Sequence, residues 1–204
     1  MDALYSFDKD QLKAHGVKYI VGLDEAGRGP LAGPVMTAAA VLNLEDIIPG
    51  INDSKKLNEE KRDKLFPDIV SKAVFRKATA VSIEAIAKYN IRNATIIGME
   101  ECVSHWPHID ESIVLVDGDL ILRNIPLERQ RAVVKGDAKS ASIAAASIIA
   151  KVSRDILMKK YDKEYPEYLF GKHKGYGTKD HIEAIGKYGL CPIHRVSFCK
   201  KFVL

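Results

Sequence analysis

An apolar run at residues 19–23 ends on two adjacent carboxylates, Asp24 and Glu25, and Ala26-Gly27-Arg28-Gly29-Pro30 follows at once. A short uncharged run bounded by polar residues reads as a buried strand. The acids then fall at its C-terminal end, where α/β proteins gather their function. Paired carboxylates at such a place point to a divalent cation, because hard cations prefer oxygen ligands. Glycines on both sides of one arginine let a ligand come close to the backbone. The plainer alternative is an acidic turn after a strand, with no chemistry attached.

The rest of the chain supplies a sheet for that strand. Further strands are expected over 35–42, 74–81, 112–116 and 132–134. The run at 35–42 is almost wholly apolar, as a strand covered on both faces should be. Helices are expected over 7–15, closed by Gly16, and from an Asn58 N-cap to about residue 70. Ser82 caps a short helix, and a second segment runs from 91 to about 105. A long helix starts at Ser140, turns amphipathic and basic, and breaks at Tyr165-Pro166. A last one spans 179–188, between Thr178 and Gly189. Three early strands, then helices alternating with two more, point to one α/β domain with a mixed sheet. Residues 1–160 are expected to form the core. Residues 161–204 form a helical and loop extension, a C-terminal lobe.

Composition excludes several classes. Hydrophobic residues make up 47% of the 204, enough for a sizeable core. Three cysteines without a CxxC pair are no disulfide framework and fit a reducing compartment. No basic and apolar leader opens the sequence, so a cytoplasmic location is expected. The apolar stretch 142–150 is too short to span a bilayer. The net charge of +4 is unevenly spread: residues 1–120 carry 14 Lys+Arg against 19 Asp+Glu, and residues 121–204 carry 17 against 8. A basic second part suits a polyanionic partner, or is a solvated helix surface.

Two more expected strand ends carry acids, Asp117 and Asp137. If these strands are neighbours, four carboxylates converge on one sheet edge, and like charges so placed need a cation. Two divalent ions roughly 3.5–4 Å apart, held by carboxylates, are a recurrent device for cutting phosphodiesters. Mg²⁺ suits such ligands. Cys191, His194 and Cys199 fit no standard zinc spacing. Asp119 follows Asp117 by two residues and in an extended segment faces the same side. Asp155, among Lys151, Arg154 and Lys159, reads as a salt-bridge or packing residue.

Taken together, GLDEAGRGPLAGPV at 22–35, NDSKKL at 52–57, VDG at 116–118, VVKGDAKSASIAAASIIAKVSRD at 133–155, HKGYGT at 173–178 and PIHRVSF at 192–198 resemble the ribonuclease HII family in its bacterial form. The resemblance implies a ribonuclease H-like fold: a five-stranded mixed sheet flanked by helices, with a helical C-terminal lobe. It implies an endonuclease using Mg²⁺ or Mn²⁺, two ions in the reacting complex, held by Asp24, Glu25, Asp117 and Asp137. Gly27, Arg28 and Gly29 match the loop that reads the ribose 2′-hydroxyl. Tyr176 matches the tyrosine that packs on the next sugar. Lys55, Lys56, Lys139 and Lys174 would contact phosphates. The implied substrates are RNA/DNA hybrids and duplex DNA with an embedded ribonucleotide, cut by a monomer that needs no membrane. The chain departs from the family at Asp119, usually Asn, and at Val196, often a second arginine; the latter puts a role for Arg195 in doubt. A non-catalytic nucleic-acid-binding module, gripping phosphates through Lys55, Lys56, Lys139, Lys172 and Lys174, is the competing reading. A nucleotide-binding enzyme is disfavoured, since GxxxxGK[ST] is absent.

Overall fold

The computed structural model describes residues 2–51 and 57–202. In chain order the elements are α1 (Ala3–His15), β1 (Tyr19–Ala26), β2 (Val35–Val41), α2 (Glu59–Lys72), β3 (Phe75–Val81), α3 (Ile83–Ser104), β4 (Ser112–Asp117), β5 (Gln130–Val133), α4 (Ala141–Glu164), α5 (Phe170–His173), α6 (Lys179–Tyr188) and α7 (Val196–Cys199). The five strands form one mixed sheet in the order β3-β2-β1-β4-β5. β1 pairs antiparallel with β2 and parallel with β4, so the sheet changes sense at β1.

Both faces are covered. Ile20, Ala38, Ala40, Ile113 and Leu115 pack with Ile143, Ala144 and Ile148 of α4 on one side. Val21, Leu23, Ala39, Val41, Val114 and Val116 pack with Ile96, Met99 and Val103 of α3 on the other. Double coverage explains why β2 is buried along its whole length and why its sequence does not alternate.

Several boundaries differ from the sequence reading, among them β5, which starts at Gln130 rather than at 132. α1 starts at Ala3, four residues early, because Asp2 caps it by accepting the Leu4 amide at 2.9 Å. β1 runs on through Asp24 and Glu25 to Ala26, because the ladder with β2 continues past the apolar run, pairing Asp24 with Ala38 and Glu25 with Thr37. The two acids are therefore strand residues on opposite faces, not a turn after it. The two helical segments expected at 82–105 form one run, α3, broken at Asn90, whose φ of 62° and ψ of 166° are not helical. The Asn90 side chain caps the second segment by accepting the Asn93 amide at 3.1 Å.

α4 lies directly on β1. A Cβ at Gly22 would overlap the Ser142 carbonyl and the Ile143 amide. Small residues on α4 itself, Ala141, Ser142, Ala144, Ala145 and Ala146, let the helix come that close. The Asp8 carboxylate of α1 secures the start of α4, accepting both the Ser142 amide (2.9 Å) and the Ser142 hydroxyl (2.8 Å). Beyond the sheet, Ala32 pairs with His194 in an isolated bridge, and a small core of Ala32, Met158, Tyr168, Phe170 and Ile193 joins the C-terminal segment to the loop after β1.

Gly22→Ala is expected to lower folding stability by about 3 kcal/mol, the upper end for overpacking, because helix backbone must move. Gly186→Ala, on α6 with nothing near its Cβ position, is expected to be neutral or to stabilise by up to about 1 kcal/mol. Urea unfolding of both variants checks the contrast.

Candidate active site

The strands place the acids. The last β1–β4 pair is Leu23 with Val116, so the next residues out, Asp24 and Asp117, are neighbours on adjacent parallel strands. Asp24 is 4% exposed. It accepts the Glu25 amide at 2.7 Å and a hydrogen bond from the Ser147 hydroxyl of α4. Burial, followed by the charges of Glu25 and Asp117, holds its pKa well above the usual carboxylate range. Asp117 accepts the Gly136 amide at 2.6 Å. Glu25 lies 3.5 Å from the Arg28 guanidinium.

Asp24, Glu25 and Asp117 line one cleft of about 410 Å³, together with Gly27, Arg28, Gly29, Lys174 and Tyr176. Two expected members do not line this cleft. Asp137 is buried in a 3-10 turn (Gly136–Ala138) and does not line the cleft. Its neighbour Gly136 touches Asp117, but Lys135, at φ 55°, turns the chain after β5. Lys139 is exposed beyond that turn, also outside the cleft. Three of the four expected acids line the cleft, and the fourth, Asp137, is buried next to Gly136, whose amide binds Asp117. Among the described residues, no three His, Cys, Asp or Glu side chains surround a common point. Lys55 and Lys56 lie outside the described residues. Asp119 does not face the acids. The strand ends at Asp117, Gly118 turns the chain, and Asp119 pairs with Arg92 at 2.8 Å in solvent. Asp155 borders the cleft 3.7 Å from Arg62, the salt-bridge role expected of it.

The donor set fits a hard divalent cation. Three carboxylates border one opening, and the most buried is driven toward its protonated form by burial first and then by the charges of the other two, a repulsion that a cation would relieve. Basic side chains share the cleft: Arg62, Lys151, Lys172 and Lys174. Lys174 donates to the Gly171 carbonyl at 2.5 Å and lies 3.9 Å from Glu59.

The loop after β1 is held from beneath by two buried arginines, neither singled out by the sequence as a site residue. Arg154 donates to the carbonyls of Pro34 (3.1 Å), Ala32 (3.1 Å) and Lys174 (2.9 Å). Arg195 donates to those of Gly33 (2.8 Å), Arg28 (3.0 Å) and Gly27 (2.6 Å). Gly27 has a φ of 92°, and a Cβ there would overlap the Arg154 side chain. The helical spacing of Ser147, Arg154 and Met158 was the available signal for Arg154; for Arg195 the signal was its place in the PIHRVSF motif.

Tyr176, half exposed at the cleft, is carried by a chain of neutral histidines. His181 Nδ1 lies 2.9 Å from the Tyr176 carbonyl, so it must donate. His181 Nε2 then accepts from His194 Nε2 at 3.0 Å, and His194 Nδ1 accepts the Cys191 amide at 2.9 Å. His173 stacks on His181 at 4.5 Å. Burial lowers the pKa of all three, that of His181 to about 4.

A mixed five-stranded sheet with carboxylates side by side on its central parallel strands, in a cleft rich in basic residues, defines a ribonuclease H-type nuclease. A family model, Ribonuclease HII, matches residues 21–201. The chain is 53% identical to a ribonuclease HII of Acetivibrio thermocellus over 93% of its own length and 73% of that protein's. It is 48% identical to one of Caldicellulosiruptor bescii over 99% and 97%. The crystal structure of ribonuclease H2 from Pyrococcus horikoshii OT3 superposes with a TM-score of 0.74 at 26% identity, covering 91% of this chain and 97% of that one. This chain belongs to the ribonuclease HII family, the type 2 ribonuclease H endonucleases. Among the described residues, no helix is long and apolar enough to cross a membrane.

The histidine chain has a pH signature. A depressed histidine pKa contributes stability that is present above the unfolded value, near 6.5, and lost as pH falls through the folded value. Between pH 6.5 and about 4, His181 is expected to cost the fold roughly 3 kcal/mol. Urea midpoints at pH 7 and pH 4 should therefore differ more in the wild type than in His181→Gln.

Proposed function

We propose that this chain is a metal-dependent endonuclease that cleaves the RNA strand of RNA/DNA hybrids and nicks duplex DNA 5′ of an embedded ribonucleotide. The products would carry a 3′-hydroxyl and a 5′-phosphate. The observation that carries this reading is the placement of Asp24 beside Asp117, immediately before a glycine loop whose carbonyls are drawn inward. Acids and loop border the same cleft, so the scissile phosphate and the sugar that marks it can be held together.

Asp24, Glu25 and Asp117 would hold Mg²⁺ or Mn²⁺, with Asp137 as the fourth carboxylate. When bound, two such ions supply an activated water and charge stabilisation for the leaving 3′ oxygen. The chain's own groups do the rest. The amides of Arg28 and Gly29 read the 2′-hydroxyl, the group that separates RNA from DNA. The Tyr176 ring, 3.8 Å from where a Gly29 Cβ would stand, packs on the adjoining sugar. Arg62, Lys151, Lys172 and Lys174 contact flanking phosphates, with Lys139 as an outlying contact; Lys55 and Lys56 are proposed as phosphate contacts from the sequence alone. No side chain acts as a nucleophile, because water attacks in line. A purely phosphate-binding module accounts poorly for Asp24: a buried acid beside two others opposes a polyanion unless cations intervene.

Asp24→Asn and Asp117→Asn are expected to lower nicking of a single-ribonucleotide duplex in Mg²⁺ by more than about a hundredfold, beyond the loss seen when a mere neighbour of a metal ligand is changed. Duplex affinity should stay within about threefold. Gel assays of nicking and fluorescence anisotropy measure the two quantities. Normal nicking by either variant would remove these carboxylates from the reaction.

A further inference from the structure

Arg195 is 2% exposed and makes no ion pair among the described residues. Its guanidinium lies 5.3 Å from the Phe198 ring centroid, and all three of its nitrogens donate to carbonyls of the loop at 27–33. Burying such a charge without a carboxylate is costly. A neutral side chain could fill the same space. What only arginine adds is a rigid planar fork of donors.

The fork has a consequence on its far side. In a trans peptide the C=O and the following N–H point in opposite directions across one plane. Nη2 holds the Gly27 carbonyl inward, which turns the Arg28 amide outward. Nη1 holds the Arg28 carbonyl inward, which turns the Gly29 amide outward. Both residues line the cleft. Two successive amides therefore point away from Arg195 because two successive carbonyls are bound to it. Arg154 holds Ala32, Pro34 and Lys174 in the same manner, but not the peptides on either side of Arg28.

We propose that Arg195 is a specificity-determining positioning residue: its guanidinium sets the orientation of the Arg28 and Gly29 amides and so sets the preference for ribose over deoxyribose. The proposal rests on the reading of that loop as the 2′-hydroxyl reader. Arg195 touches no substrate and acts only through the two peptides.

The test compares the KM for a single-ribonucleotide duplex in Mg²⁺ with the Ki of an all-DNA duplex of the same sequence used as competitor. In Arg195→Gln the KM is expected to rise about tenfold, the scale of losing one or two hydrogen bonds, with Ki within twofold of the wild type. Arg195→Lys keeps the charge but loses the planar fork, and is expected to show the same rise. A general loosening of the cleft would raise KM and Ki together, and a loss of folded protein would lower only the rate; either pattern overturns the proposal. So does a wild-type ratio in Arg195→Lys. If neither variant folds, hydrogen exchange of the wild type decides. The Arg28 and Gly29 amides are expected to exchange freely in the unbound protein and to be protected by the ribonucleotide duplex, not by the DNA duplex. Protection in the unbound protein overturns the proposal. A wild type that binds both duplexes equally instead overturns the reading of the loop itself.

Discussion

Much of the site depends on how closely α4 lies on β1. At Gly22 the helix backbone occupies the space that any side chain would need. From there the two elements run together and stay in step. Ser142 to Arg154 is about 18 Å of helix, and Gly22 to Gly27 is about 17 Å of strand, by their rises per residue. Ser142 therefore meets Gly22, Ser147 meets Asp24, and Arg154 meets Gly27. One packing contact at the start of the helix carries an acid's hydrogen-bond partner and a loop's support into place. Asp8 fixes the near end of that contact, and Met158, against Gly33 and Gly175, extends it to the C-terminal segment.

The electrostatics divide across the loop. On the cleft side, Asp24 is buried beside Glu25 and Asp117, and burial and repulsion act on it in the same direction. Behind the loop, two guanidiniums are buried with carbonyl dipoles as their acceptors. Desolvation disfavours the charge on both; Asp155 partly offsets this for Arg154, whereas among the described residues Arg195 has no carboxylate acting on it. The acids repel one another on one side of the loop, while on the other the arginines meet backbone carbonyls. The histidines beneath Tyr176 complete the pattern. They stay neutral because each is buried and each nitrogen is already committed as donor or acceptor.

The fold was largely legible in the sequence because it depends on local signals. Apolar runs gave five strands in one mixed sheet, and side-chain caps at Asn58, Ser82, Ser140 and Thr178 marked helix starts. β1 was read short because Asp24 and Glu25 look like the end of a strand, whereas a ladder with β2 carries them within it. Asp117 and the glycine loop were legible as motif residues. The turn that buries Asp137 was not, since it depends on the left-handed conformation of Lys135. Asp119 would share the side of Asp117 only in an extended segment, and Gly118 breaks that extension, leaving Asp119 paired with Arg92. Arg195 was undervalued for a different reason: its partners lie 162 to 168 residues away, and no spacing rule reaches that far.

The central claim is that one cleft joins cation-binding acids to amides that sense a ribose. Its most direct test is the crystal structure of the protein with Mn²⁺ and a duplex containing one ribonucleotide, with anomalous data collected at the manganese edge. The account predicts manganese between Asp24 and Asp117, and the 2′-hydroxyl within hydrogen-bonding distance of the Arg28 or Gly29 amide. Manganese bound away from these carboxylates, or a deoxyribose facing those amides, would contradict it.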